Sequence, residues 1–454
     1  MAVQNPTNRV TREQLQTWLG QMFDDYGIQR PNVEITIMGT SNLGDGLLSD
    51  VTFIELYVND TDPNNPNQSK KKRKRRRRPK PKSPYKGLPR RMAVKNYKIG
   101  PAMREMVPFA AMGKNERDFY TKIYPLLKGT QQHFHVPENR MFKHVPELYY
   151  FNLNIPDREV FAFENLHELG YRMHNRKEPM DLAHMEVVLD LYARLHAVAF
   201  GLKDHNELAF WLFSNELGNV MVDVSLEEIL QERTYFANLR NMAANINAGD
   251  LTNAFDLLST MMHATDPCPP ECVFIHGDCE NNNYFFKYAE DGTIEDVRLL
   301  DWQFCRMAPP LYDVSYFIFA NLDPNNLRHF DHLKDHYYDR LSSYMRYYDL
   351  DSRSVFSREA YENQWRQYAR FGVRMMFSVV KNLLAEDNEI NDLETIAQNR
   401  ANRVPGEVFD IEMPEIPTAC VYGNELLQRC RQRTFPILRF VVRRNLLNMN
   451  MQNL

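Results

Sequence analysis

Ile275-His276-Gly277-Asp278-Cys279-Glu280-Asn281-Asn282-Asn283, followed by Leu299-Leu300-Asp301-Trp302-Gln303, decides how this chain is read. An apolar strand delivers a loop bearing His and Asp. An Asn stands 5 residues beyond Asp278, and 23 residues beyond it an Asp ends a second apolar strand. Phosphoryl transfer from ATP needs this set of groups. One carboxylate orients the attacking hydroxyl and takes its proton, while an amide oxygen and a second carboxylate hold Mg²⁺ against the phosphates. Asp278 is then the base, and Asn283 and Asp301 are the metal ligands. His276 joins Asp278 as a catalytic-loop residue and is expected to brace the loop by hydrogen bonds. An isolated His-x-Asp would more simply be a turn whose polar groups cap neighbouring elements. The ordered set of four positions between two strands favours catalysis.

These residues resemble the choline-kinase-like and aminoglycoside-phosphotransferase-like superfamily, a branch of the protein-kinase-like fold. More narrowly they resemble the ecdysteroid-kinase-like group, whose members carry a His-Gly-Asp-Cys loop with a distal Asn and then Asp-Phe-Gln. Trp302 stands here in place of that Phe, and Glu280 where the group usually has Trp. An extra carboxylate at Glu280 is expected to raise the pKa of its neighbour. Ala308-Pro-Pro-Leu-Tyr-Asp313 and Tyr316-Phe317 also match, with Asp313 read as a helix cap. The resemblance runs from about Thr11 to Leu447, the basic insertion excepted. It implies an α+β fold of two lobes, a small antiparallel-sheet N-lobe and a larger, mainly helical C-lobe.

An ATP site also needs a cation on the phosphates and an anion to hold that cation. Lys95, after Met92-Ala93-Val94, is the cation and Glu116 its partner; alone, each would read as an exposed strand lysine and an exposed helix glutamate. The resemblance places a glycine-containing phosphate loop at Gly44-Asp45-Gly46-Leu47-Leu48-Ser49, so Gly44 and Ser49 are nucleotide-side candidates. It places the adenine hinge at Phe163-Glu164-Asn165-Leu166, where the backbone of Glu164 and Leu166 would do the binding.

Working outward, Thr11 and Gln14 have capping-box spacing before Leu15, Trp18, Leu19, Met22 and Phe23 at helical intervals. Strands are expected at Val33–Met38, Val51–Val58, Arg91–Tyr97 and Glu159–Phe163. A helix is expected from about Val107 through Leu127. From Asp181 the pattern turns helical, interrupted by strands at Val273–Ile275, Tyr284–Phe286 and Val297–Leu300, and it is helical again from Trp365. The expected division is a nucleotide-binding lobe over 1–165, with a disordered basic insertion near 59–90, and a helical lobe over 166–454 that holds the catalytic loop and acceptor site.

Composition sets further bounds. Among 454 residues, 43% are hydrophobic, enough for a sizeable core. No run approaches a membrane span, and the polar start lacks a secretory pattern. Six sparse cysteines suit a reducing, cytoplasmic setting. Residues 70–91 hold 14 Lys or Arg and no acid, and the remainder carries 41 basic against 59 acidic residues, a balance of −18. An acidic body argues against a nucleic-acid-binding one, so contact with nucleic acid or another polyanion is left to the run Lys70–Lys82, which could also serve nuclear import or be merely a solvated loop.

The acceptor is read as a small hydroxylated molecule. Phe371, Met375, Met376 and Phe377 offer apolar surface for it, although such a stripe is more often plain core. The resemblance points to an ecdysteroid-like steroid, with a choline- or aminoglycoside-type acceptor, or a weak pseudokinase that only binds, as rivals.

Overall fold

The computed structural model describes residues 10–41, 46, 48–58, 88–98, 100–156, 158–218, 220, 232–260, 269–390, 393–401 and 424–447. The basic run and Gly44 lie outside them. The chain forms two compact units, Met1–Ile99 with Pro146–Leu169, and Gly100–Val145 with Gly170–Leu454. The stretch 100–145, placed in the first lobe by the sequence reading, therefore groups with the helical unit.

In the first unit, Thr11 caps α1 (Arg12–Trp18) through a full capping box. Its Oγ1 accepts from Gln14 N at 3.2 Å, and its own N–H donates to Gln14 Oε1 at 2.8 Å. After α2 (Gly20–Asp25) come β1 (Val33–Thr40), β2 (Ser49–Val58), β3 (Arg91–Tyr97), β4 (Leu148–Ile155) and β5 (Arg158–Glu164). They form one antiparallel sheet in the order β1-β2-β3-β5-β4. Side chains alternate across a strand. Ile54, Leu56, Met92, Val94, Val160 and Ala162 thus share one face, and they bury Leu15, Trp18, Leu19, Met22 and Phe23 of the two helices. β4 escaped the sequence reading because Asn152 and Asn154 interrupt its pattern, and at the sheet edge most of its side chains are only half-buried.

The second unit is mainly helical, with two small antiparallel sheets. β6 (Tyr171–Met173), β8 (Tyr284–Tyr288) and β9 (Ile294–Leu299) form one, and β7 (Val273–Ile275) pairs with β10 (Arg306–Ala308) in the other. The single helix expected over Val107–Leu127 is instead Pro101–Met106, then Phe109–Asp118, a π-turn at Phe119–Ile123, and Tyr124–His133. Pro125 explains the break: it has no N–H to return to the preceding turn, so the ladder widens there. Among the described residues no helix is long and apolar enough to cross a membrane. Cys272 is disulfide-bonded, contrary to the expectation of reduced thiols, whereas Cys279, Cys305 and Cys430 are free and buried.

The centre of this unit is helix Leu311–Asn321, every residue of which is buried. It packs along helix Arg358–Leu384 where Gly372 brings the two backbones together. A Cβ there would meet the Ser315 carbonyl carbon at 2.3 Å. Gly372→Ala should therefore force the helices apart and destabilise the protein by about 1–3 kcal/mol, the usual cost of overpacking. A lowered urea midpoint at unchanged slope would show it, and an unchanged midpoint would refute the close contact.

Candidate active site

The second unit gathers five of the expected site residues. β7 ends at Ile275, and β10, paired to it with Arg306 opposite Ile275, brings the segment after Asp301 alongside the His276 loop. Gly277 turns at φ +85°, and a Cβ on it would lie 2.4 Å from Phe304 O. Only glycine fits a position that is both left-handed and this close to another backbone.

His276 is fully buried. Its Nε2 bonds Leu300 O at 2.8 Å, and its Nδ1 accepts from Asp278 N at 3.2 Å, so it ties the loop to the residue before Asp301. Burial lowers its pKa, which keeps the ring neutral and able to make both bonds. It thus braces the loop, as expected. Asp278 is half-buried, with Oδ1 accepting from the Tyr316 hydroxyl at 3.2 Å. Asn283 donates Nδ2 to Asp278 O at 2.9 Å, which turns its amide oxygen away from that carbonyl. Asp301 has a left-handed backbone (φ 66°, ψ 70°), unusual for a residue with a Cβ and a common sign of strain held at a working site.

Glu116 lies on helix Phe109–Asp118, almost fully buried. Its neighbour Asn115 fastens that helix to the Asp301 segment by donating to Gln303 O at 3.2 Å. One turn later Phe119 stacks on Trp302 with ring centroids 3.5 Å apart, and His276 meets the same indole edge-on at 4.7 Å. Trp302, which stands in place of the family's Phe, is thus buried among aromatic rings. Burial raises the Tyr120 phenol pKa well above its ordinary value, and the charges of Glu116 and Asp301 add to this.

The remaining candidates belong to the first unit. Lys95 is buried on β3 between Val51 of β2 and Phe161 of β5, on the sheet face opposite the two helices, with its Nζ 5.2 Å from the Tyr97 ring centre. Ser49 opens β2, buried, and Gly46 packs so tightly on it that a Cβ would reach Ser49 O at 2.6 Å. Glu164 ends β5 and gives its N–H to Glu147 O at 2.9 Å, and Leu166 is buried in the short turn that follows.

Sequence reasoning misread Asp313. It is no cap: it sits inside the first turn of helix Leu311–Asn321, wholly buried, and accepts from His276 N at 2.7 Å, Gly277 N at 2.8 Å and Cys279 Sγ at 3.3 Å. His196 Nε2 lies 3.3 Å from it, and the other nitrogen of that ring meets Tyr337 OH at 2.8 Å. Burial pushes the Asp313 pKa up, but the bonds from His196 and the main chain more than offset this and hold it below its ordinary value. The signal was available, since a charge within an otherwise apolar helix must find partners. Tyr316 was noted only as part of a matching segment.

Glu280 is half-buried beside this loop. Burial raises its carboxyl pKa well above the usual range, the Asp278 and Asp301 carboxylates add to the rise, and Arg176 partly opposes it. Glu280, Asp278 and Asp301 thus bring three carboxylates near one another, with Arg176 as a counter-charge.

The ecdysteroid kinase-like family model matches residues 52–349, more than half of the chain. No curated protein matches it. Among solved structures, the chain is similar to a spectinomycin phosphotransferase in complex with ADP and spectinomycin, at 12% identity over 86% of this chain and 98% of that one, with a TM-score of 0.38. It is also similar to a macrolide 2′-phosphotransferase of Brachybacterium faecium, at 12% identity over 85% and 97%, TM-score 0.32. A putative aminoglycoside phosphotransferase from Ralstonia eutropha gives 14% identity over 82% and 99%, TM-score 0.34.

Two outcomes follow from the carboxyl environments. Asp313→Asn should cost about 3 kcal/mol at neutral pH, the scale of breaking a buried charged network. Because the Asp313 pKa is depressed on folding, that difference should shrink as pH falls through and below about 4. Glu280 has the opposite sign. Its raised pKa leaves no penalty below about pH 4.3 and a growing one as pH rises toward the folded-state value. Glu280→Gln should therefore raise the melting temperature at pH 7 in metal-free buffer and leave it unchanged near pH 4. A gain of equal size at both pH values would point to packing, not charge.

Proposed function

Because the chain belongs to the ecdysteroid kinase-like family, we propose that it transfers the γ-phosphate of ATP to a hydroxyl of a small lipophilic alcohol, an ecdysteroid-like steroid. The observation that carries this reading is the loop itself: Asp278 held by Tyr316, with Asn283 5 residues and the left-handed Asp301 23 residues after it in sequence.

The residues fit a hard divalent cation. The Asn283 amide oxygen and the Asp301 carboxylate are oxygen donors of the kind Mg²⁺ takes, near Glu280, whose pKa is raised by burial first and by the Asp278 and Asp301 carboxylates second. Bound there, Mg²⁺ would neutralise the phosphate oxygens and draw charge from the leaving group. Asp278 accepts the proton of the attacking hydroxyl, and Tyr316 fixes the carboxylate rotamer. Lys95 and Glu116 take the phosphate-side roles of cation and supporting anion. Ser49 and Gly44 are the candidates for the phosphates, and the Glu164–Leu166 backbone for adenine. The Glu164 N–H is already committed to Glu147 O, which leaves other main-chain groups of that segment for the base.

On the acceptor side the apolar stripe divides. Phe377 packs against Phe236 and Phe255 in the core, whereas Phe371 lies 4.5 Å from the Tyr312 ring and 6.3 Å from that of Tyr316. Phe371 and half-buried Met375 are therefore the members that could meet an acceptor presented to Asp278. Burying an apolar ring system is worth about 25 cal/mol per Å². Glu280 supports a second reading, in which the acceptor carries a cationic amine, as choline- and aminoglycoside-type substrates do.

Asp278→Asn should lower kcat by at least about a hundredfold while nucleotide binding persists, since a positioned base contributes on that scale. Asp301→Asn should weaken Mg²⁺-dependent nucleotide binding. Near-wild-type turnover by either variant would remove the mechanism. Acceptor class is read by ATP consumption with steroid alcohols, choline and aminoglycosides. Met375→Gln should raise KM for a steroid and leave that for ATP unchanged, and preference for the amines would shift the assignment to the second reading.

A further inference from the structure

Away from the phosphotransfer residues, two helices of the second unit bring together three side chains of metal-binding chemistry. His332 and His336 stand one turn apart on helix Phe330–Met345, so both imidazoles leave the same face. Glu186, in the first turns of helix Leu182–His205, meets them. One ligand atom from each of the three lies within 4.8 Å of the other two. Glu186 Oε1 and His332 Nε2 are 2.5 Å apart.

A second observation makes this more than a surface ion pair. His336 Nε2 is buried from solvent and has no hydrogen-bond partner among the described residues. A ring nitrogen in that state lacks the compensation that buried polar atoms ordinarily find. The neighbouring charges are spent elsewhere. Asp190 binds Arg194 at 2.8 Å and Tyr344 at 2.8 Å and also pairs with Arg340. Asp331 binds Arg444 at 2.8 Å, and Asp335 pairs with Arg358. The His332 side chain is 53% exposed, so the cluster opens to solvent.

We propose that Glu186, His332 and His336 bind one divalent transition-metal ion of the Zn²⁺ class, clipping the start of helix Leu182–His205 to helix Phe330–Met345. Two imidazoles and a carboxylate select borderline ions such as Zn²⁺ or Co²⁺, whereas Mg²⁺ prefers an all-oxygen shell. Tetrahedral binding would leave the fourth position to water. The ion replaces the Glu186–His332 contact, so small side-chain rotations close the set to bonding distance. Burial, helped by Arg340, lowers the His336 pKa against the pull of Glu186 and Asp190, which keeps that ring neutral and ready to ligate.

The test uses the full chain stripped with a chelator. Co²⁺ titration, followed by visible absorption, and Zn²⁺ calorimetry should both reach one equivalent, with affinity falling as pH drops through the imidazole range. Excess Mg²⁺ should not compete. His336→Ala and His332→Ala should each weaken binding more than about tenfold, the least that losing even an outer-shell partner of a metal costs. They should also abolish the rise in melting temperature that Zn²⁺ gives the parent. His332 is exposed, so its variant tests the site even if His336→Ala folds poorly, and His205→Ala is the control histidine. No saturable binding in the parent, or equal binding in the His332→Ala variant, would overturn the proposal.

Discussion

The buried Asp313 carboxylate is the constraint on which the site depends. It gathers two main-chain amides and a thiol from the His276–Cys279 loop and an imidazole from helix Leu182–His205. A charge so far from water survives only with all of these donors present. It therefore fixes the loop to a wholly buried helix of the unit, and the amides of His276 and Gly277 both point at its carboxylate where Gly277 makes its left-handed turn. Tyr316, one turn along the same helix, then reaches Asp278. One helix thus sets both the path of the loop and the rotamer of its carboxylate.

Trp302 organises the other side. Phe119, His276 and Phe142 surround the indole, and its Nε1 donates to Leu299 O at 3.3 Å. The π-turn caused by Pro125 contains Phe119, so a proline well away from Asp301 in sequence shapes the contact that seats it. This apolar knot lies beside Glu280, whose pKa burial raises, with the Asp278 and Asp301 carboxylates adding to the rise. The unit therefore sets a dense aromatic support beside a loop that carries several carboxylates.

Much of this was legible in the sequence because it is written locally. The capping box at Thr11, the strands at Arg91–Tyr97 and Val273–Ile275, and the family positions from His276 to Asp301 each rest on spacing along a short stretch. What was missed is non-local or unpatterned. β4 lacks alternation because asparagines interrupt it. The broken helix before Tyr124 hid behind continuous helical periodicity, and Pro125 was the unread clue. The true work of Asp313 depends on partners 34 to 117 residues away. The Glu186–His332–His336 cluster joins two helices far apart in the chain, and a His-x-x-x-His spacing alone gives no hint of its third member.

The left-handed backbone at Asp301 narrows what the chain can become. In the role proposed for it, a side chain at that position serves a carboxylate's chemistry and also tolerates a conformation that asparagine, aspartate and glycine adopt far more readily than others. Two independent filters then act on one codon. Glycine would relieve the strain and abolish the charge, glutamate would keep the charge and worsen the strain, and alanine would fail both. Asparagine and glycine both keep this backbone while removing the charge, and of the two only asparagine also keeps the size of the side chain.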